Sequence, residues 1–252
     1  MRPVRQEIMW QAVLDALEAV GSAPGTPVTV VDLGGGTGGE AVQLAALGHA
    51  VSVIDPSPDA LASLARRAAD AGLDAEAASG GGRVRGVLAD SSDLAEHVPA
   101  ASADLVLVHG VLEHADDPAE VLASAAAALR PGGVVSVVVA NRAAAVLAKA
   151  LMGDFDDAVA TLHASSEAWD RRALGPRRFD AGELDRLLEA AGFVPIARHA
   201  LRVFADLVPG AVVDKEPGAR ERLFALEQAA RTVSEFSAVS GGLQSVARLE
   251  SS

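Results

Sequence analysis

The run Val30-Val31-Asp32-Leu33-Gly34-Gly35-Gly36-Thr37-Gly38-Gly39 constrains this chain more than any other stretch. It reads as an apolar strand entering a glycine-rich turn, with an acid two places before the first glycine. Glycine has no Cβ and tolerates positive φ, so such a turn brings backbone close to a ligand. A helix that begins there points its free N–H groups at whatever occupies the turn. These features place a nucleoside-bearing ligand at the end of the first strand.

The glycine spacing alone admits two cofactors. Gly34, Gly36 and Gly39 satisfy the dinucleotide pattern G-x-G-x-x-G. Gly34, Gly36 and Gly38 equally satisfy the D-x-G-x-G-x-G pattern of S-adenosylmethionine (SAM) enzymes. A pyrophosphate gains nothing from a carboxylate beside it, whereas SAM carries a sulfonium and an ammonium, so Asp32 favours SAM. A second strand ends in Asp55, whose carboxylate can accept both ribose hydroxyls, as suits NAD and SAM alike. A third ends at Asp90-Ser91, a polar pair that can read the amino edge of adenine. Next comes Asp104-Leu-Val-Leu-Val-His109-Gly-Val-Leu-Glu113-His114, then Leu129-Arg130-Pro131-Gly132-Gly133 ahead of a further strand. This ordered series resembles the class I SAM-dependent methyltransferases. The resemblance implies SAM as cofactor, with Asp32, Gly34, Gly35, Gly36, Asp55, Asp90, Ser91 and His109 as its binding positions.

The rest of the chain fits one α/β domain over residues 1–252. Strands are expected near 28–33, 50–55, 84–89, 103–109 and 133–140, and helices near 5–20, 38–47, 57–72 and 118–129. Such alternation gives a parallel sheet with helices on both faces. After Asn141 the rhythm changes, and residues 142–178 read as an insert or lid. A helix near 180–191 follows, with Asp180 as N-cap and Glu183 at the capping-box position. A strand near 193–203, a helix near 216–234 and a strand near 243–249 complete the reading. The full expectation is a Rossmann-like, seven-stranded, mostly parallel sheet closed by a terminal antiparallel hairpin. The glycine-rich stretch at 77–82 reads as a surface loop.

Composition narrows the function classes. The formal charge is −13, which argues against broad nucleic-acid affinity, since that affinity rests on phosphate neutralisation. Residues 165–202 depart from this, with seven arginines against six acids. There are no cysteines, hence no disulfide, thiolate nucleophile or cysteine metal site. His109, Glu113 and His114 are spaced H-x-x-x-E-H, not the H-x-x-E-H of a helical metal site, and no metal is expected. Asp154, Asp156 and Asp157 lack the calcium-loop frame and read as a loop cap. No long uncharged apolar run or signal-peptide centre is present, so the expected location is cytoplasmic, away from membranes.

Further pieces carry a narrower resemblance. Arg5-Gln6-Glu7-Ile8-Met9-Trp10-Gln11, Gly34-Gly35-Gly36, Leu112-Glu113, Leu129-Arg130-Pro131-Gly132-Gly133-Val134, Gly153-Asp154-Phe155-Asp156 and Arg202-Val203-Phe204-Ala205-Asp206 together resemble the tRNA carboxymethoxyuridine methyltransferases. That family esterifies the carboxylate of a modified wobble uridine, which implies tRNA as partner. The resemblance gives Arg5 to the SAM carboxylate and Arg202 to substrate orientation. Arg177 and Arg178 of the arginine-bearing segment are further candidates for substrate orientation, with a solvated helix-entry pair as the alternative. The chain has no tyrosine, so a stacked base would fall to Trp169, Phe179 or Phe204. The alternative acceptor is a small molecule methylated on oxygen or nitrogen, and a SAM-binding regulator without turnover is a third reading.

Overall fold

The computed structural model describes residues 3–21, 23, 25–74, 82–165 and 168–250. Of the expected surface loop only Gly82 lies within them, and Glu167 lies outside. In chain order the first elements are α1 (Val4–Val20), β1 (Thr29–Leu33), α2 (Gly39–Ala46), β2 (Ala50–Asp55), α3 (Pro58–Asp70), β3 (Arg83–Leu88), α4 (Leu94–His97), β4 (Ala103–His109), α5 (Pro118–Ala128) and β5 (Leu129–Ala140). They are followed by α6 (Arg142–Met152), α7 (Phe155–His163), α8 (Arg171–Leu174), α9 (Ala181–Ala190), β6 (Phe193–Leu201), α10 (Gly210–Lys215), α11 (Ala219–Ala230), α12 (Ser234–Ser237) and β7 (Gly242–Leu249).

The strands form one seven-stranded sheet in the order β3-β2-β1-β4-β5-β7-β6, mostly parallel, with an antiparallel end at β5-β7-β6. Strand β1 pairs in parallel with β2 and with β4, and β2 with β3. The central strands are near-continuous apolar runs because both faces are covered. Val30, Val31 and Leu33 of β1 and Leu105, Val106, Leu107 and Val108 of β4 are all buried. Local chemistry sets the helix starts. Ser57 caps α3 through its Oγ, which accepts the Ala60 N–H at 3.3 Å, with Pro58 opening the helix. Asp117 and Pro118 do the same for α5.

Two compact units divide the chain. One comprises Val13–Val137, Leu187–Ile196 and Val246–Ser252; the other comprises Met1–Ala12, Val138–Arg186 and Ala197–Ser245. The first holds β1 to β4 and the glycine turn. The second has its own small cores. Ile8, Ala12, Val138 and Leu201 form one, and Ala200, Val203 and Ala230 form another, with Phe204 and Phe236 packed edge-to-face beside it.

Three sequence expectations are corrected. The helix expected near 216–234 is the shorter α11, with α12 starting only at its far edge. Gly218 turns left-handed at φ 73° just before α11, and α10, which ends at Lys215, lies outside the expected span. The strand expected to reach residue 203 ends at Leu201, because Arg202 takes φ 58°. Strand β5 begins at Leu129, four residues early, with Gly132 at φ 75° inside the run. The stretch 142–178 carries α6, α7 and α8, with Asp154 at the N-cap position of α7.

The capping box on α9 forms as its sequence implies. The Asp180 N–H donates to Glu183 Oε2 at 2.9 Å, and the Glu183 N–H donates to Asp180 Oδ1 at 2.8 Å. A cation joins it, since Arg142 at the start of α6 donates to Glu183 Oε1 at 2.8 Å, to Asp180 and to the Ala164 carbonyl. Glu183 is buried, so its removal leaves a largely buried guanidinium short of a partner. Glu183→Ala should therefore lose about 2–3 kcal/mol of stability, read as a lower urea midpoint at unchanged m-value.

Candidate functional site

The first unit carries a cavity of about 270 Å³ where the carboxyl ends of β1, β2, β3 and β4 converge. Its lining includes Gly34, Asp55, Asp90, Ser91, Gly110, Val111 and His114. The sheet order reverses between β1 and β4, and open α/β sheets bind ligands outside such a switch point. Four positions expected from sequence therefore meet in one cavity: Gly34, Asp55, Asp90 and Ser91. His114 and Val111 also line it, although the sequence reading considered His114 only as a metal ligand. Their signal was position, since both follow directly on the end of β4.

The glycine turn is built around two carboxyl groups. Gly34 has φ 65°, and a Cβ there would lie 2.7 Å from Val111 Cγ2, which lines the same cavity. A side chain at Gly35 would strike the Asp32 carboxyl and the Val53 side chain. Asp55 ties the turn to β2. Its Oδ2 accepts the Gly36 N–H and its Oδ1 accepts the Ser57 N–H, each at 2.9 Å. Each oxygen keeps a second lone pair for a ligand hydroxyl. Ser91 donates to Asp90 Oδ1 at 3.1 Å, which holds the β3-end pair together. A ribose and an adenine fit this donor and acceptor set.

Asp32 does not face solvent as a free charge. It is buried beneath Gly35, and desolvation, with Glu40 and Asp55 adding to it, pushes its carboxyl up to about 8. His109 ends β4, and its Nε2 lies 2.9 Å from Ser136 Oγ. Its Nδ1 is buried without a hydrogen-bond partner, and desolvation pushes the imidazole down to about 4, so it is neutral at physiological pH. Among the described residues, no group of three or more His, Cys, Asp or Glu side chains is placed to hold a metal ion.

The second unit carries its own cavity of about 420 Å³, lined by Asn141, Ala144, Ala148, Arg178, Arg202, Asp206 and Gly241 among others. Arg202 donates through Nη2 to the Gly241 carbonyl at 3.1 Å, while its Nε is buried without a hydrogen-bond partner. Asp206 lies between two arginines. Its Oδ1 is 2.8 Å from Arg5 Nε and its Oδ2 is 3.8 Å from Arg202 Nη1. The two arginines given separate roles by resemblance thus share one carboxylate, which the sequence reading left without a role.

The neighbouring positions sort by burial. Arg178 lines this cavity, whereas Arg177 is buried. The exposed arginines of residues 165–202 are Arg171, Arg172 and Arg186. Two of the aromatic candidates for base stacking are corrected: Trp169 and Phe179 are buried in the core, and Trp169 donates its Nε1–H to the Gly175 carbonyl. Phe204 is half-buried, and Phe155, which was not considered for stacking, is exposed.

The buried Asp32 gives a measurable pH dependence. Its folded pKa lies above the unfolded value, so the stability it supports is present below pH about 4 and is lost as pH rises to about 8. Asp32→Asn should remove that slope. The ligand-free variant should gain about 2 kcal/mol or more over wild type at pH 8.5 and far less at pH 4.5, measured by urea denaturation at both pH values.

Comparison with known proteins agrees with this geometry. Residues 5–198 match the family model described as a methyltransferase domain. The chain is 32% identical over 204 residues to the tRNA 5-carboxymethoxyuridine methyltransferase of Escherichia coli K12, covering 81% of this chain and 72% of that protein. It is 36% identical over 134 residues to the ubiquinone biosynthesis O-methyltransferase of Caulobacter vibrioides, covering 52% and 48% respectively. Among solved structures, the magnesium protoporphyrin IX methyltransferase of Synechocystis with bound S-adenosylhomocysteine superposes with a TM-score of 0.60 at 14% identity, over 98% of this chain and 83% of that one. With its fold, its glycine turn and these relatives together, the chain belongs to the class I SAM-dependent methyltransferases.

Proposed function

We propose that this methyltransferase acts on the carboxylate of a modified wobble uridine in tRNA. The observation that carries this reading is the arginine cavity of the second unit. Arg202 lines this cavity, with its Nη atoms against the Gly241 carbonyl and Asp206, and Arg178 lines the same space. An arginine fork matches a planar carboxylate bidentately. The named activity of the Escherichia coli relative supports the same acceptor.

The cofactor supplies an activated methyl carbon when bound. Asp55 is proposed to accept the ribose hydroxyls, Asp90 and Ser91 to read adenine, and Arg5 to pair with the cofactor's carboxylate. Gly34 is proposed to let the backbone border the nucleoside, Gly35 makes room for the Asp32 carboxyl beneath the turn, and Gly36 gives its N–H to Asp55. The acceptor carboxylate has a reference pKa near 4 and is already an anion at neutral pH. Transfer to it needs no general base. It needs the anion held within about 3–3.5 Å of the methyl carbon, and that is the role proposed for Arg202. His109, pushed down to about 4, is too weak a base to shape the profile near neutrality. Arg171, Arg172 and Arg186 are the proposed phosphate contacts on an otherwise acidic chain.

The ubiquinone biosynthesis O-methyltransferase relatives favour the oxygen form of a second reading, a small molecule methylated on oxygen or nitrogen, here on a hydroxyl. That acceptor is neutral at pH 7 and has to lose a proton, so the two readings separate by pH. Labelled SAM should methylate tRNA whose esters have been saponified by mild alkali, with a rate flat from pH 6 to 9. A rate rising with the slope of one ionisation on a free small molecule, with tRNA unmodified, would establish the alternative. Arg202→Lys should cut kcat/KM at least tenfold while SAM affinity stays within twofold. Asp55→Ala should weaken SAM at least tenfold by calorimetry, since hydrogen bonds to a charged group are worth about 1.5–3 kcal/mol.

A further inference from the structure

The turn that carries Arg202 is held by a carboxylate far from it in sequence. Glu227, on α11, is buried and projects into the turn that follows β6. Its Oε2 accepts the Val203 N–H at 3.0 Å. Its Oε1 accepts the Phe204 N–H at 2.9 Å and the Ala205 N–H at 2.7 Å. Three consecutive backbone donors thus converge on one anion. The residue just before them, Arg202, has φ 58°, a conformation that disfavours residues other than glycine and persists only where the surroundings impose it. The opposite side of the turn is equally tight. A side chain on Gly241 would meet Asp206 Oδ2 at 2.5 Å, and one on Gly242 would meet Arg202 Nη2 at 3.1 Å.

We infer that Glu227 is a positioning residue: by collecting the N–H groups of residues 203–205 it fixes Arg202 in its left-handed conformation and aims the guanidinium into the cavity. This rests on the reading of Arg202 as the group that holds the acceptor carboxylate. Glu227 itself touches neither acceptor nor cofactor; it acts through the backbone. An ordinary packing role would require only volume, which glutamine also fills. Holding three donors requires two acceptor oxygens, and glutamine replaces one of them with a donating NH₂.

Two measurements test this. The first compares wild type, Glu227→Gln, Arg202→Lys and the double variant, using SAM and alkali-saponified tRNA. Glu227→Gln should lower kcat/KM at least tenfold with SAM affinity within twofold of wild type. In the Arg202→Lys background, the same change should cost less than twofold more, because the group it positions is gone. Losses that multiply in the double variant, or wild-type kinetics for Glu227→Gln, would overturn the inference. Where the glutamine variant fails to fold, Glu227→Asp replaces it, keeping the charge while shortening the arm by one methylene. Wild-type kinetics in Arg202→Lys would instead remove the acceptor reading itself. The second measurement needs no acceptor. The buried Nε–H of Arg202 should give a slowly exchanging signal in ¹⁵N-edited NMR, assigned by its loss in Arg202→Lys. In Glu227→Gln it should exchange at least tenfold faster, and an unchanged signal would overturn the positioning role.

Discussion

The hydrogen bond from the Gly36 N–H to Asp55 is the contact on which the cavity at the ends of β1 to β4 depends. It joins the end of β1 to the end of β2 across a turn whose glycines at 34, 36 and 38 all take positive φ. That turn has little of its own to hold it, since glycines lose more conformational entropy on ordering than other residues. A side-chain acceptor from the neighbouring strand offsets that loss. The same carboxylate takes the Ser57 N–H at the start of α3, so one residue orders the turn, the strand end and the next helix. Asp32 serves from beneath. Only glycine at position 35 lets its carboxyl come so close, and the closeness shuts out the water that would keep it ionised.

A second device of the same kind appears in the other unit, with the roles of glycine and arginine exchanged. At the first turn, glycine adopts the left-handed conformation at low cost and frees space. At Arg202 a long charged side chain adopts it at higher cost, and the cost is met by Glu227 collecting three N–H groups. The difference follows from what each turn delivers. The first brings backbone close to its own surroundings, where a Cβ at Gly34 or Gly35 would strike Val111 or Asp32. The second delivers a guanidinium, so a residue other than glycine has to stand there, and the strain moves to a buried carboxylate for support.

What was legible in the sequence was what is local in it. The alternating strands, the glycine turn and Asp55 at a strand end all depend on residues within a few positions of one another. The capping box of Asp180 and Glu183 is legible for the same reason, being three residues apart. Contacts that span the chain were not. Arg5 meets Asp206 and Glu227 meets Val203 through folding, and no periodicity announces either. The ending of β6 at Leu201 also eluded the hydrophobic pattern, because Val203 and Phe204 look like continuing strand and only the φ of Arg202 stops it. Aromatic roles misled for a related reason. Trp169 lies among arginines in sequence, yet its ring is buried and its N–H satisfied internally, while Phe155, between two aspartates, is exposed.

Charge sharing around Asp206 bears on how an acidic protein can recruit an anion. With a net charge of −13 the chain as a whole repels carboxylates and phosphates. A lone exposed arginine in that field would be screened by salt and would contribute little. Arg5 and Arg202 converge on a single acid, which leaves one positive charge in excess at the cavity, and Arg178 adds a second. Within a cavity the screening is weaker than on the surface, so this local excess persists where the global field is adverse. Asp206 then does more than neutralise. It holds the Arg5 guanidinium at 2.8 Å and leaves Arg202 with a longer contact of 3.8 Å, so that, for the carboxylate acceptor proposed above, Arg202 is the guanidinium of the two whose release from Asp206 costs less.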